Sequence, residues 1–236
     1  MRALAMNILT GLLAVGLAAA PAIAQTAGAG EGPGPLAPRD ECTGLPSYAE
    51  FHQRLERAIT LRDADALIAL TDPDVTLDFG GGSGVEELRK RLDGGAYNSW
   101  RDLADAVRLG CGIGEGAAQD TDYIAFPWYF TKTFGGEVFE TVIVTGVDVP
   151  LRFAPADDAR VIERISWDWA LVRYDDQYVD GPEEPTDRHT GYQAVTTQDG
   201  AAGYIADHAL RSIVDYRIAV NRIDGKWTIT AFVAGD

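Results

Sequence analysis

Near residue 121 the hydrophobic period of the chain changes from about 3.6 to 2, and this switch limits the fold more than any other feature. A helix buries a stripe and a strand buries a face, so the two parts must be covered differently. Upstream, SYAEFHQRLERAI carries Ser47 and Glu50 at capping-box spacing, with Tyr48, Phe51, Leu55 and Ile59 at helical intervals. A second helix is predicted from Asp63 through Leu67, Ile68 and Leu70, stopping at Pro73. In DVTLDFGGGSG, Val75, Leu77 and Phe79 alternate with Thr76 and Asp78 ahead of a glycine cluster, as in a short strand and turn. Ser83 and Glu86 repeat the capping spacing before Val85, Leu88 and Leu92. Ser99 and Asp102 open a further helix carrying Trp100, Leu103 and Val107, which Gly110 ends.

Downstream, EVFETVIVTGVDVPLRF, ARVIERISWDWALVRY, GYQAVTTQDGAAGYIA and the closing segment read as strands separated by Gly, Pro and Asp turns. In VDYRIAVNRIDGKWTITAFVAGD, Tyr216, Ile218 and Val220 alternate with polar or small residues, and Asp224-Gly225 supplies a two-residue hairpin turn before Trp227 and Ile229. A helical region over 45–120 followed by a β-rich region over 121–236, ending in a hairpin over 213–236, predicts an α+β fold.

The N-terminus sets the expected compartment. Arg2, an apolar run from Ile8 to Ala20 and Ala22-Ile23-Ala24 give residues 1–24 the pattern of a secretory signal peptide cut before Gln25. A periplasmic or secreted protein follows. Gln25 is not the cysteine that a lipoprotein acylates, and no later run reaches about 18 apolar residues, so no stable membrane insertion is expected after cleavage. Residues 25–44, QTAGAGEGPGPLAPRDECTG, carry few large apolar groups and predict a flexible leader. Cleavage takes Arg2 from the 20 Lys and Arg and nothing from the 36 Asp and Glu, moving the formal charge from −16 to −17. Such a surface repels phosphate backbones, so nucleic acid is not an expected partner. Cys42 and Cys111, in an exported chain, are candidates for one disulfide. Their loop of about 70 residues would add on the order of 4 kcal/mol in the chain-entropy model. Two unpaired thiols are the alternative.

VDVPLRFAPADDARVIERIS followed by GYQAVTTQDGAAGYIADHALRS resembles a bacterial SH3 domain. Arg152 stands three residues before Pro155, Val161-Ile162 follow a short loop, Tyr192 opens a strand, and a hairpin leads into Gly203-Tyr204-Ile205 and a closing Leu210. The resemblance covers about 147–212 and implies a small β-barrel whose ligands are peptidoglycan peptides or envelope proteins. YDDQYVDGPEEPTDRHT, within 174–190, is longer and more acidic than a minimal barrel of this type needs. RDADALIALTDPDVTLDFGGGSGVEELRKRL is more weakly similar to the opening of nuclear-transport-factor-2-like domains, and RIDGKWTITAFV to their last hairpin. That likeness implies a small-molecule carrier or small enzyme with Asp78 or Tyr123 facing a deep pocket, and places the SH3-like module within that domain or before its end. Few long strands stand between the helices and the module to complete the curved sheet it needs.

Catalytic constellations are sparse. Only His52, His189 and His208 occur, scattered relative to Cys42 and Cys111, which suits neither a cysteine peptidase nor a zinc amidase. FGGGSG follows a strand and precedes a helix, as phosphate-binding loops do, but lacks the following Lys-Ser/Thr and reads as a tight turn. Asp72, Asp74 and Asp78 fit turn chemistry around Pro73 better than a paired-carboxylate catalyst. Asp176, Asp180, Gly181, Glu184 and Asp187 fall on an EF-hand count, but Tyr178 stands at the third position and strands flank the segment. A solvated acidic loop is the reading; no metal, cofactor or enzymatic activity is expected. Trp167 and Trp169 share a face with Ile165 and Leu171, as barrel core would. Tyr192, Tyr204, Tyr174, Tyr178 and Trp169 are the candidate ligand contacts, aromatic rings with polar tips on a half-exposed surface.

Overall fold

The computed structural model describes residues 34–94, 97–114, 121–174 and 191–235. These residues form an α+β arrangement with two sheets. Helix α1, Tyr48–Leu61, buries Tyr48, Phe51, Leu55, Ala58 and Ile59, the stripe its sequence spacing requires. Helix α2, Ala64–Ile68, is capped by the Asp63 side chain, which accepts from Ala66 N at 3.0 Å. Helices α3, Val85–Leu92, and α4, Ser99–Val107, complete the set. Their caps fall on Gly84 and Asn98, one residue from the serines that the capping-box spacing singled out, and the Ser47 side chain makes no capping bond.

The first sheet takes β1 (Thr71–Thr76), β12 (Lys226–Val233), β11 (Arg217–Ile223), β3 (Tyr123–Phe126) and β2 (Gly112–Ile113) in that order. Strand β1 runs parallel to β12, and the other neighbours are antiparallel. Pro73 does not stop the chain as expected but sits inside β1. It is tolerated because β1 is an edge strand, with one side on which a missing N–H costs no ladder bond. The β11–β12 turn is Asp224-Gly225, both at positive φ (50° and 77°), as the sequence predicts. This sheet reaches five strands because the terminal hairpin supplies two and residues 112–126 supply two more. The division at 121 is therefore not a boundary in space. The four helices of the described residues join one core with this sheet, with Leu55, Leu67 and Leu103 packed against Val75, Ile124, Phe126, Val220, Trp227 and Phe232.

The second sheet lies wholly between β3 and β11 in the chain. Its order is β10 (Leu210–Ser212), β4 (Thr141–Val144), β7 (Trp169–Val172), β8 (Tyr192–Thr197), β9 (Ala202–Ala206), β5 (Val149–Arg152) and β6 (Val161–Ile165). Every neighbouring pair is antiparallel, and a single 3-10 turn, Asp207–Ala209, joins β9 to β10. The sheet begins at 141, six residues ahead of the stretch that carries the SH3 resemblance. One face buries Val142, Val144, Leu151, Ala170, Val195 and Ile205 in a core of its own. Gly203, opposite Val195 on that face, leaves no room for a side chain: a β-carbon there would stand 2.6 Å from Arg152 O and 2.9 Å from Leu151.

A third cluster joins the two parts: Leu36, Leu109, Trp128, Tyr129 and Ile143 are buried together, with Phe134, Trp167, Trp169 and Ile213 against them. Residues 34–44 of the expected leader depart from a flexible segment. Leu36 is buried in this seam, Cys42 is fully buried, and Leu36 N donates to Trp167 O at 2.7 Å. Buried Leu36 and Ala37 together with the Cys42–Cys111 disulfide hold a stretch whose composition alone would not fold.

Candidate functional site

Strand register decides which aromatics share a surface. Tyr192 stands opposite Ala206, Ala194 opposite Tyr204, and Arg152 opposite Tyr204. Directly opposed residues point to the same side of a sheet, so Tyr192, Tyr204 and Arg152 share the side opposite the module's core. Ala194, Ala202 and Ala206 lie between and beside the two tyrosines on that side. The rings are diagonal neighbours, about 7–8 Å apart at the backbone, over a floor of small side chains.

The loop between β5 and β6 forms the wall of this surface. Tyr192 Oη donates to Asp157 Oδ1, and Arg152 Nη1 donates to Ala159 O at 3.0 Å. Phe153 N donates to Arg160 O at 2.9 Å, closing the loop at its base. The Asp157 hydrogen bond, ahead of desolvation, pushes the Tyr192 hydroxyl above the ordinary phenol value and keeps it a donor. Arg152 and Asp157 were not among the sequence-derived contacts. Arg152 carried a signal as part of the resemblance, whereas Asp157 meets Tyr192 across 35 residues of chain, which no local pattern reveals.

The other candidates do not join this surface. Trp169 pairs with Ile143, and both pack in the seam, with Trp169 edge-on to Phe134 at 6.4 Å and 78°. Trp169 is thus a seam residue, neither a groove contact nor part of the module's core. Its expected grouping holds with Trp167, which packs against the same seam, but not with Ile165, which packs on the module's core because Trp167 takes φ +44° between the strands and breaks the alternation. Tyr174 donates from its hydroxyl to Phe139 O at 2.9 Å, which ties it to the segment before β4. Tyr178, His189 and the EF-hand count lie outside the described residues.

Cys42 and Cys111 form a disulfide, with Cα atoms 5.8 Å apart. Asp40 stands beside them in what is otherwise a metal-ligand grouping, but the sulfurs are bonded to each other. Asp40 itself accepts from Cys42 N at 2.9 Å and from Tyr48 Oη at 2.8 Å. His52 stacks with the rings of Tyr48 and Phe126 at 5.3 and 6.0 Å, a packing role. In the FGGGSG turn, Gly80 N and Gly82 N both donate to Asp78 Oδ1 at 2.8 Å. The amides that would cradle a phosphate thus hold the chain's own carboxylate. The Arg91 guanidinium, 6% exposed, also binds Asp78 and is the first cause holding that carboxyl below the usual range. Asp78 is therefore half-exposed and paired with Arg91.

Asp102 on α4 behaves in the opposite sense. Burial, then the charges of Asp215 and Asp105, raise its pKa above the ordinary aspartate value. The folded state holds the proton more tightly than the unfolded state, so this group's contribution to stability falls as pH rises above the ordinary aspartate range. Asp102→Asn is expected to raise the Tm at pH 7 and to leave it unchanged near pH 3, where both states are protonated. Thermal melts at the two pH values check this, and equal effects at both would contradict it.

No family model and no curated protein matches the chain. Among solved structures, it is similar to a designed nuclear-transport-factor-2-like protein. The match has 11% identity, covers 80% of this chain and 96% of that one, and has a TM-score of 0.29, too low to carry an argument. No helix among the described residues is long and apolar enough to cross a membrane.

Proposed function

We propose that the protein is an exported, non-enzymatic binding protein in which an SH3-like module, inserted in a helix-backed sheet, recognises a peptide of the cell wall. The observation that carries the reading is the shared outer surface of Tyr192 and Tyr204, walled by the Arg152–Asp157 loop and used by neither the module's core nor the seam. The strand order supports the SH3-like assignment. A hairpin (β5–β6) precedes a three-stranded meander (β7–β8–β9), a 3-10 turn leads to β10, and β10 pairs with the module's first strand, β4. The first sheet, with β1 parallel to β12 and helices against it, supports a nuclear-transport-factor-2-like frame into which the module is inserted. The disulfide fits an oxidising, extracytoplasmic compartment.

Tyrosine suits this role because the ring supplies apolar area while its hydroxyl stays hydrogen-bonded. Co-sedimentation of residues 25–236 with peptidoglycan sacculi tests the proposal. Saturable pelleting is expected, falling at least tenfold in affinity for Tyr204→Ala with an unchanged melting profile. No pelleting at any salt concentration removes the wall as ligand and leaves an envelope protein as the partner.

A further inference from the structure

We infer that residues 34–42 are a strap whose docking is completed by the Cys42–Cys111 disulfide, so that the fixed seating of the β module on the helix-backed sheet depends on thiol oxidation. The strap touches both parts. At one end, Leu36 is buried in the seam and its N–H donates to Trp167 O on the module side, while Gly34 lies so close to Ser166 that a β-carbon would stand 1.8 Å from Ser166 O. At the other end, Glu41 N donates to Cys111 O at 2.8 Å, Glu41 Oε2 pairs with Lys132 Nζ at 2.9 Å, and Cys42 is bonded to Cys111. Between them the Arg39 guanidinium lies 3.7 Å over the Trp128 ring, at the heart of the seam. Gly110, at φ +89°, is flush against Arg39, where a β-carbon would stand 1.9 Å from Arg39 O.

The strap's other holds are non-covalent, and they must offset the backbone entropy lost on ordering residues 34–42. The covalent link to Cys111, just ahead of β2, is what keeps its far end in place. In the step itself, the Cys42 and Cys111 thiols lose two protons and two electrons and form one S–S bond. By thiol–disulfide exchange the electrons pass to a disulfide oxidant, which leaves as its dithiol. A chain that has not reached an oxidising compartment keeps both thiols and an undocked strap. The inference rests on the export reading for its setting but not on the ligand surface.

The test is a proteinase K pulse under native conditions on residues 25–236, with cut sites read by mass spectrometry, comparing the bridged protein with the Cys42→Ser/Cys111→Ser variant. Cutting within 34–41 is expected to accelerate at least tenfold, while the described strands of both sheets keep their resistance. Uniform acceleration across both sheets overturns the inference, because the bridge is then a general staple. Unchanged cutting at the strap also overturns it. If the serine variant fails to fold, Leu36→Ala in the bridged protein gives the same reading at residues 34–38, where unchanged cutting is again the contrary result. Sacculus binding that fails while the strap result holds separates this inference from the proposed function.

Discussion

Phe126→Ala is expected to lower the unfolding free energy by about 3–5 kcal/mol, the range for truncating a fully buried aromatic. Phe126 has no solvent exposure and lies on β3, with β11 on one side and β2 on the other. Its backbone is paired opposite Ile218, and its ring stacks with His52, which stacks in turn with Tyr48 of α1. The neighbours are held by the sheet and by α1, so the site cannot collapse around the missing ring and a cavity remains. Urea denaturation followed by tryptophan fluorescence measures the loss, and a value under about 1 kcal/mol would contradict this packing.

Ile205→Ala is expected to cost about 2–5 kcal/mol from a different core. Ile205 is fully buried on β9, between β8 and β5, and packs within the module's own cluster. That cluster is much smaller than the one behind the helices, so one truncation removes a larger share of it. The seam buries Leu109 and Trp128 from one part with Ile143 from the other, and two chain connections cross it. Both variants are therefore expected to unfold in one transition while the bridge is intact. A separate early transition in Ile205→Ala alone would show that the seam does not couple the two parts.

The α+β class and most elements were legible because amphipathic spacing and turn chemistry are local. The Tyr48, Phe51, Leu55 and Ile59 stripe and the Asp224-Gly225 turn lie where the pattern put them. The disulfide also followed, because only one pairing of two cysteines exists. What the pattern missed is non-local. Pro73 reads as a helix stop unless β1 is known to be an edge, and Trp169 reads as module core unless the seam is known to bury the other side of β7. The leader failed for the same reason, since Leu36 and Cys42 gain burial from partners more than 60 residues away, at Trp128 and Cys111. In the candidate site, register placed Tyr192 beside Tyr204 and put Trp169 on that same side of the sheet, but Trp169 is covered there by the seam and Tyr174 is tied to Phe139 beyond the strand, contacts that no residue type reveals.

Two parts with separate cores meet at a shared seam, and the proposed binding face lies on the β8–β9 side of the second sheet. Binding surfaces on strands are better ordered than surfaces on loops, which suits recognition of an extended peptide. Amide chemical-shift mapping of the bridged, isotope-labelled chain of residues 25–236, titrated with soluble peptidoglycan stem-peptide fragments, tests this most directly. Perturbations confined to Arg152, Asp157, Tyr192, Ala194, Tyr204 and Ala206 are the expected result. Perturbations centred on α1–α4 and the first sheet, with that face unmoved, would contradict it.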